Sequence, residues 1–277
     1  MNSHFTSRVT ECVEHFDTDC QNYNAYSLPS KIRVEGLENN FVCSRDAPDQ
    51  VAAIVNLKFH NSTNSRVFLG KNLRGTITIN VRGSNSLIYV GDNCHLNQLE
   101  IRSFQSHDLI VVGNSVTTTA TNTWISGNGA GIAVPAIIIG DDCMFSYDCV
   151  IRNSDAHPIF SRENDMQINC PTSAVIIEPH VWIGESAKIL KDVVVGACSI
   201  IGLGAVVTKS IPRNSIATGV PAKSVHKPDL YWARSNSEQS KASARHYLEK
   251  YRSKGSSSSD AQHCNAPDLA QKAAQGR

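Results

Sequence analysis

Residues Ile177 to Pro212 read IEPHVW, IGESAK, ILKDVV, VGACSI, IGLGAV and VTKSIP when the chain is divided into sixes. The first residue of every unit is aliphatic, and the fifth is mostly small or β-branched. Neither the period of a helix nor the simple alternation of a strand produces repeated in-frame units of six. A short fixed period indicates a solenoid, in which each unit buries its apolar face against its neighbours.

The apolar positions of the repeat specify the kind of solenoid. Positions one and five lie an even number of residues apart, so both side chains leave the same face of a β-structure. Glycine follows the aliphatic residue at Gly184, Gly196 and Gly202, and glycine tolerates a sharp corner without strain at Cβ. The repeat therefore predicts an all-β solenoid whose positions one and five point inward.

Looser copies of the repeat extend towards the N-terminus. They start at Leu69, Val90, Val112 and Ile139, at separations of 21, 22 and 27 residues, and the glycine-rich segment from Gly127 to Ala136 accounts for the longest gap. The register then breaks in a polar stretch from His157 to Ile176 before it resumes at Ile177. We expect this stretch to be a loop that leaves the solenoid, where functional residues concentrate.

Four regions follow from these patterns. Residues 1–60 are predicted to be irregular with some β-structure, and residues 61–226 to form the β-helix domain. Residues 227–254 are predicted to contain a C-terminal helix, because Ala244, Tyr247, Leu248 and Tyr251 have helical spacing. We expect that helix to cap the open end of the solenoid, and residues 255–277 to be disordered.

Composition limits the classes of function. The formal net charge of +1 gives no support for a nucleic-acid partner, and no apolar run has the length of a membrane span. The nine cysteines form no CxxC pair, and Cys94, Cys143 and Cys149 occupy core positions of the repeat. With no apolar signal-peptide core at the N-terminus, we expect a cytoplasmic protein with reduced thiols and no metal site.

The motif SDAHPI, from Ser154 to Ile159, is the first candidate for chemistry. His157 lies where the repeat gives way to the loop, and Pro158 biases it towards extended backbone. A neutral imidazole accepts protons near neutral pH, which suits a general base, although a lone histidine in a loop is more often a simple surface residue. Asp155 can orient the imidazole, but a polar turn residue is an equally good interpretation.

The order of the motifs carries a family resemblance. The DxHPI motif, the loop and the resumed hexads ending in GVPAK resemble the hexapeptide-repeat acyltransferases, most closely the sugar and polysaccharide O-acetyltransferases, over roughly residues 137–226. The resemblance implies a left-handed parallel β-helix, a handedness opposite to the general rule for parallel crossovers. It also implies a homotrimer with sites between subunits, acetyl-CoA as donor, a carbohydrate acceptor and His157 as the base.

The same resemblance implies further site residues. Trp182, at a non-core position, is either an aromatic packed at a corner or a wall of the site, and both interpretations stay open. Val220 replaces the asparagine of the usual GNPAK motif. Short side chains allow backbone amides to approach the pantetheine, and lysine binds phosphate as a point charge. The predicted acetyl-CoA residues are Gly184, Glu185, Leu203, Thr208, Lys209 and Lys223.

The sequence therefore predicts an acetyl-CoA-dependent O-acetyltransferase of a sugar or surface polysaccharide. A small-molecule acetyltransferase, acting on an antibiotic or an amino sugar, is the alternative within the same class. A zinc lyase like the γ-class carbonic anhydrases is disfavoured because His157 and His180 form no HxxxxH pair. A non-catalytic trimeric scaffold would leave His157 and the GVPAK motif without a purpose.

Overall fold

The protein is represented by a computed structural model that describes residues 3–24, 31–47, 50–127 and 136–252. The predicted disordered tail and most of the glycine-rich segment lie outside the described residues. Helix α1 (Ser3–Cys12) and a 3₁₀ turn (Cys20–Asn22) precede the strands, and helix α2 (Glu238–Arg252) follows them.

The strands are short, as a winding chain requires, and all but the last pair are parallel. In chain order they are β1 (Ile32–Glu35), β2 (Phe41–Ser44), β3 (Ile54–Phe59), β4 (Arg66–Leu69), β5 (Arg74–Val81), β6 (Leu87–Val90), β7 (His95–Ser103), β8 (Leu109–Val112), β9 (Thr117–Thr118), β10 (Asn122–Ser126), β11 (Ala136–Ile139), β12 (Met144–Phe145), β13 (Cys149–Arg152), β14 (Val175–Ile177), β15 (Trp182–Ile183), β16 (Lys188–Ile189), β17 (Val194–Val195), β18 (Ile200–Ile201), β19 (Val206–Val207), β20 (Ser215–Thr218) and β21 (Lys223–His226).

These strands stack into three faces of a prism. Face A contains β2, β4, β6, β8, β11, β14 and β17. Face B contains β9, β12, β15, β18, β20 and β21, and face C contains β10, β13, β16 and β19. In the earlier coils one long strand replaces the last two faces, since β7 pairs with β9 at one end and with β10 at the other. This is the all-β solenoid predicted from the hexads, and it is the left-handed parallel β-helix that the family resemblance implied.

The inward positions of the repeat form the core. Position one of the six hexads, which includes Ile183 and Ile201, is at most 1% exposed, and position five, which includes Val181, is at most 4% exposed. The predicted core cysteines Cys94, Cys143 and Cys149 are likewise buried and free. The predicted inward assignment is confirmed.

The hexad glycines serve coil packing rather than the corner angle. A Cβ atom on Gly184 would lie 2.7 Å from the backbone nitrogen of Leu203, and one on Gly196 would lie 2.4 Å from that of Arg213. The left-handed backbone at the corners belongs instead to other residues, such as Ser186 (φ 57°) and Asp192 (φ 60°). The glycines are therefore needed because adjacent coils touch at the corners, a reason that the sequence interpretation did not give.

Three corners join the faces and are named after them. Residues 178–180 and 196–198 form corner AB, residues 184–186 and 202–204 form corner BC, and residues 190–192 and 208–210 form corner CA. The loop of residues 153–174 leaves the solenoid between β13 and β14, which places it at corner CA. Strand β10 ends and strand β11 begins at the same corner one coil earlier.

The ends of the chain differ from the predicted regions. Parallel pairing starts at Ile32, because β1 joins β3 and β2 joins β4, so the sheets begin well before residue 61. The predicted C-terminal helix exists as α2, with Ala244 and Tyr251 buried. It packs along corner AB against Ala197 and Cys198 instead of capping the end of the solenoid.

The terminal helices cover the outside of the solenoid. Outward residues of face A, including Phe68, Tyr89 and Ile138, are buried together with Val9 and Val13 of the N-terminal segment. The two helices also meet, because the Tyr251 hydroxyl donates to the Glu11 carbonyl at 3.2 Å. Within the described ranges, neither α1 nor α2 has the length and apolar character of a membrane-crossing helix.

Candidate active site

The loop that carries His157 is anchored to the coil below it. Asn153 is buried, and its Nδ2 donates to the Ser126 hydroxyl at 2.8 Å while its Oδ1 accepts from the Gly127 nitrogen at 2.9 Å. Beyond His157 the chain folds into a small hairpin, in which Phe160 bridges to Gln167. His157 itself is exposed at the mouth of the loop, so its imidazole is accessible to a substrate.

A network of three side chains fixes the mouth of the loop. The Asp155 carboxylate forms an ion pair with Lys191 and accepts a hydrogen bond from Asn169 Nδ2 at 3.0 Å. The same Asn169 amide donates to the His157 carbonyl at 2.9 Å. Asp155 thus holds the backbone at His157 through Asn169, and among the described residues no side chain hydrogen-bonds to the imidazole.

The charge state of Asp155 agrees with this role. Partial burial would raise the pKa of the carboxyl, but hydrogen bonds from Lys191 and Asn169 outweigh it, together with the positive charges of Lys191 and Arg152. The pKa of Asp155 therefore lies below its ordinary value, and the carboxylate stays charged at neutral pH. The far end of the loop is held in a similar way, since Asp192 accepts from the backbone nitrogens of Thr172 and Ser173 at 2.7 Å each.

Lys191 and Asn169 were not predicted as site residues. Lys191 occupies an outward corner position of a hexad, and its contact with the loop depends on how the insertion folds back. Asn169 lies within a polar stretch that has no repeat. Sequence spacing carries no signal for either contact.

Trp182 lies on face B, away from corner CA. It pairs with Met144 below and Ile200 above, and its indole ring is tilted against Trp232 with the ring centroids 6.3 Å apart. Its Nε1 atom is buried and has no hydrogen-bond partner in the described chain. The contact with Trp232 agrees with an aromatic residue packed at a corner. The unpaired indole N–H agrees with a wall of the site, so a single chain is compatible with both interpretations.

Four of the predicted acetyl-CoA residues form a stack at corner BC. Gly184 and Glu185 lie in one coil, Leu203 in the next, and Lys223 above them opposite Thr218. The Gly184 amide donates to the Ile201 carbonyl at 2.8 Å, so it serves the solenoid. The amides of Glu185 and Leu203 have no hydrogen-bond partner among the described residues, and Leu203 is 74% exposed.

Thr208 and Lys209 lie elsewhere. Both are exposed at corner CA, on the same edge of the solenoid as His157 and Asp155. Face C separates this edge from corner BC. Because a strand rises about 3.3 Å per residue, the face is on the order of 15 Å wide. The predicted donor and acceptor residues therefore do not converge within one chain.

His180 belongs to a structural cluster at corner AB. Its buried ring stacks between Trp232 (centroids 4.1 Å apart) and Tyr247 (5.0 Å), and its Nδ1 hydrogen-bonds to Asp142 Oδ2 at 2.7 Å. Arg234 Nε donates to the other oxygen of Asp142 at 2.8 Å. This cluster attaches the C-terminal segment to the solenoid.

The cluster at corner AB also bears on the metal alternative. His180 is at a different corner from His157, and no group of three potential metal ligands occurs in the described ranges.

The chain is similar in sequence to bacterial O-acetyltransferases. It is 35% identical over 112 residues to a polysialic acid O-acetyltransferase of Escherichia coli O1:K1, a match that covers 39% of this chain and 36% of that protein. It is 31% identical over 134 residues to the polysialic acid O-acetyltransferase of Neisseria meningitidis, covering 43% and 62%. The chain thus matches between about a third and two thirds of the length of these relatives. No family model matches it.

A solved structure supports the fold independently. The polysialic acid O-acetyltransferase OatWY superposes with a TM-score of 0.56 at 24% identity, covering 71% of this chain and 97% of that one. At this level of sequence identity, the structural similarity shows that the fold is a β-helix. The reaction has to be argued from the residues of the site. The resemblance predicted from the hexads and the DxHPI motif is confirmed, because the relatives of this chain are O-acetyltransferases.

Proposed function

We propose that this protein transfers an acetyl group from acetyl-CoA to a hydroxyl of a sugar, most specifically a sugar unit of a polysaccharide. Bound acetyl-CoA supplies the thioester. His157 accepts the proton of the sugar hydroxyl while that oxygen attacks the thioester carbonyl, and the protonated imidazole returns the proton to the departing thiolate. The products are the sugar acetate and free coenzyme A.

The observation that carries the proposal is the mounting of His157. An accessible imidazole stands at the mouth of a loop whose backbone is held by Asn153 below and by Lys191 above, through Asp155 and Asn169. A surface histidine with no function needs no such support. A positioned base is what direct acyl transfer requires, because the hydroxyl must lose its proton as it attacks.

The proposed site is completed by a second copy of the chain. His157 lies at corner CA, and the free amides of Glu185 and Leu203 lie at corner BC. If corner CA of one copy faces corner BC of the next, the contact is heterologous, and a threefold rotation closes it. Exposed apolar side chains occur on both edges: Ile159, Phe160, Met166 and Ile168 on the loop, and Leu203 and Val220 near corner BC.

The residues at corner BC suit acetyl-CoA. The two free amides can donate to the amide oxygens of the pantetheine arm. Lys223 is exposed and forms no ion pair within the described chain, so its charge is available to a phosphate. Lys209 of a neighbouring copy offers a second cation. We also propose a cytoplasmic location, which the free thiols of the described cysteines support.

Release of coenzyme A tests the proposal. The purified protein is incubated with acetyl-CoA and, separately, with polysialic acid, a neutral galactoside and a small amino sugar. Acceptor-dependent release that disappears in His157→Ala supports polysaccharide acetylation, and mass spectrometry of the polymer locates the ester. Release with the amino sugar alone would favour the small-molecule alternative, and no release with any acceptor would contradict the proposed function.

A further inference from the structure

Arg152, the last residue of β13, carries a guanidinium that no acid of the described chain neutralises. Its Nε atom is buried without a hydrogen-bond partner, and no ion pair with another described residue involves it. Because Ile151 is fully buried, strand alternation directs Arg152 outward onto face C. A partly desolvated charge without a partner is unfavourable, so this arrangement calls for an anion.

A second arginine on face C, Arg102, is neutralised by an acidic residue of its own strand. Arg102 and Arg152 both pair in register with Ile125, on its two sides, so they belong to one outward column. Arg102 forms a bidentate pair with Glu100, with distances of 2.7 Å from Nε and from a terminal nitrogen. At the position of Glu100 in the coil of Arg152, the chain has Val150. The acid that would neutralise Arg152 is absent.

Arg152 lies close to residues that hold the loop of the proposed catalytic base. It directly precedes Asn153, which anchors the loop to the coil below. Its positive charge also helps to lower the pKa of the Asp155 carboxyl, although the burial of that carboxyl and its hydrogen bonds have larger effects. Asp155 is already engaged by Lys191 and Asn169. The Arg152 guanidinium therefore lies close to the residues that hold the His157 loop, and it has no hydrogen-bond or ion-pair partner among the described residues.

We propose that Arg152 binds a carboxylate of the acceptor, so that the acceptor is an acidic sugar within a polysaccharide. This inference rests on the proposed function and narrows its substrate class. The planar fork of a guanidinium matches a carboxylate through two parallel hydrogen bonds, which fixes the orientation of the sugar as well as its position. A sugar held in this way presents a neighbouring hydroxyl to His157.

Steady-state kinetics with a matched pair of acceptors tests the inference. Polysialic acid is compared with the same polymer after chemical reduction of its carboxyl groups, at saturating acetyl-CoA. Arg152→Gln should raise the KM for the acidic polymer by about 10- to 100-fold, the value of a hydrogen-bonded charge pair, and leave the KM for the reduced polymer unchanged. Arg102→Gln, in the same column, is the control and should change neither.

Several results would overturn the inference and leave the proposed function intact. Equal use of the acidic and the reduced polymer would show that no carboxylate is recognised, and a preference for a phosphate-bearing polymer would replace the carboxylate assignment. An Arg152→Gln effect on the KM for acetyl-CoA would assign the residue to the donor. Dissociation of the oligomer in light scattering would assign it to a subunit contact. Wild-type protein that releases no coenzyme A with any acceptor would defeat both proposals.

Discussion

The carboxylate of Asp155 is ion-paired with Lys191 of the next coil and is linked to the His157 carbonyl through the side-chain amide of Asn169. Lys191 belongs to the regular hexad repeat, whereas Asp155 and Asn169 belong to the two arms of the inserted loop. The rigid solenoid therefore sets the position of the catalytic candidate. The loop is not free to place the imidazole independently of the coil above it.

Lys191→Met should lower kcat and leave the fold intact. The substitution keeps the length of the side chain and removes the charge that holds Asp155, so the mouth of the loop becomes less well positioned. A misplacement of about 1 Å costs on the order of 100-fold, so we expect kcat to fall between about 10- and 100-fold. An exposed ion pair is worth at most about 1 kcal/mol, so thermal unfolding should barely change.

Lys188→Met is the matched control for that experiment. Lys188 is exposed on the preceding strand of the same coil, and among the described residues its ammonium donates only to the nearby Ser186 carbonyl, at 3.4 Å. Its loss should leave kcat unchanged. Equal kinetics for Lys191→Met and wild type would show that the ion pair does not position His157.

His157→Ala should abolish most of the turnover without affecting stability or donor binding. The residue is exposed and fills no part of the core, so the melting temperature should stay at the wild-type value. Loss of a positioned base lowers kcat by about 10²- to 10⁴-fold. His157→Asn should be no better, because an amide forms hydrogen bonds but does not accept the proton.

The pH profile distinguishes a base from a binding residue at this position. The acidic limb of the wild-type kcat/KM profile should be absent from the residual activity of His157→Ala. Calorimetric titration with coenzyme A should give the same affinity for both proteins. A folded His157→Ala enzyme that retains more than about a tenth of the wild-type kcat would lie outside the range for a general base.

Ile201→Asp should prevent folding, and Ile200→Asp should not. Ile201 is fully buried at position one of its hexad. A carboxylate at this position loses its hydration without gaining a partner, which lowers the free energy of unfolding by roughly several kcal/mol. Ile200 precedes it on the same strand and points outward, half-buried on face B. Urea unfolding of the two variants compares the same substitution on both sides of one strand, and equal stabilities would contradict the inward assignment.

The sequence predicts the parts of the structure that depend on periodicity. Ile201 and Val181 could be assigned to the core because a repeat of six applies one rule to every coil. Contacts between distant segments have no such rule. Three contacts of this kind join separate segments of the chain: the ion pair of Lys191 with Asp155, the stack of His180 between Trp232 and Tyr247, and the packing of α2 along corner AB. Only the folded chain reveals them.

Asp108 should make the protein less stable as the pH rises from about 4 to 6. Burial raises the pKa of its carboxyl to about 6, although Ser103, Gln105 and Ser126 hydrogen-bond to it. An unfolded aspartate has a pKa of about 3.9. The contribution of Asp108 to the free energy of unfolding is therefore fully present below that pH, and it is lost as the pH rises through about 6. Asp141, whose pKa burial raises to about 6 as well, adds to the same trend.

Asp108→Asn tests that trend. An amide can accept from Ser103 and Gln105 through its oxygen and donate to the Ser126 hydroxyl through its nitrogen, as the protonated carboxyl does. The free energy of unfolding of this variant should fall less between pH 4.5 and 7 than that of wild type, by on the order of 1–3 kcal/mol. Asp229→Asn, at an exposed position, is the control. Parallel pH curves for Asp108→Asn and wild type would contradict the assignment.

Complementation between inactive subunits tests whether the site lies between copies of the chain. His157→Ala damages corner CA and leaves corner BC intact, whereas Leu203→Arg fills corner BC and leaves His157 intact. Each protein alone should be inactive. In trimers assembled at random from equal amounts of the two, about a quarter of the contacts join an intact corner CA to an intact corner BC, so about a quarter of the wild-type activity should return. A site contained within one chain would give no recovery at any mixing ratio. Light scattering of the mixture, with the wild-type protein as a reference, checks that the subunits have assembled. Failure to recover activity in assembled oligomers would place the donor and the base in the same subunit.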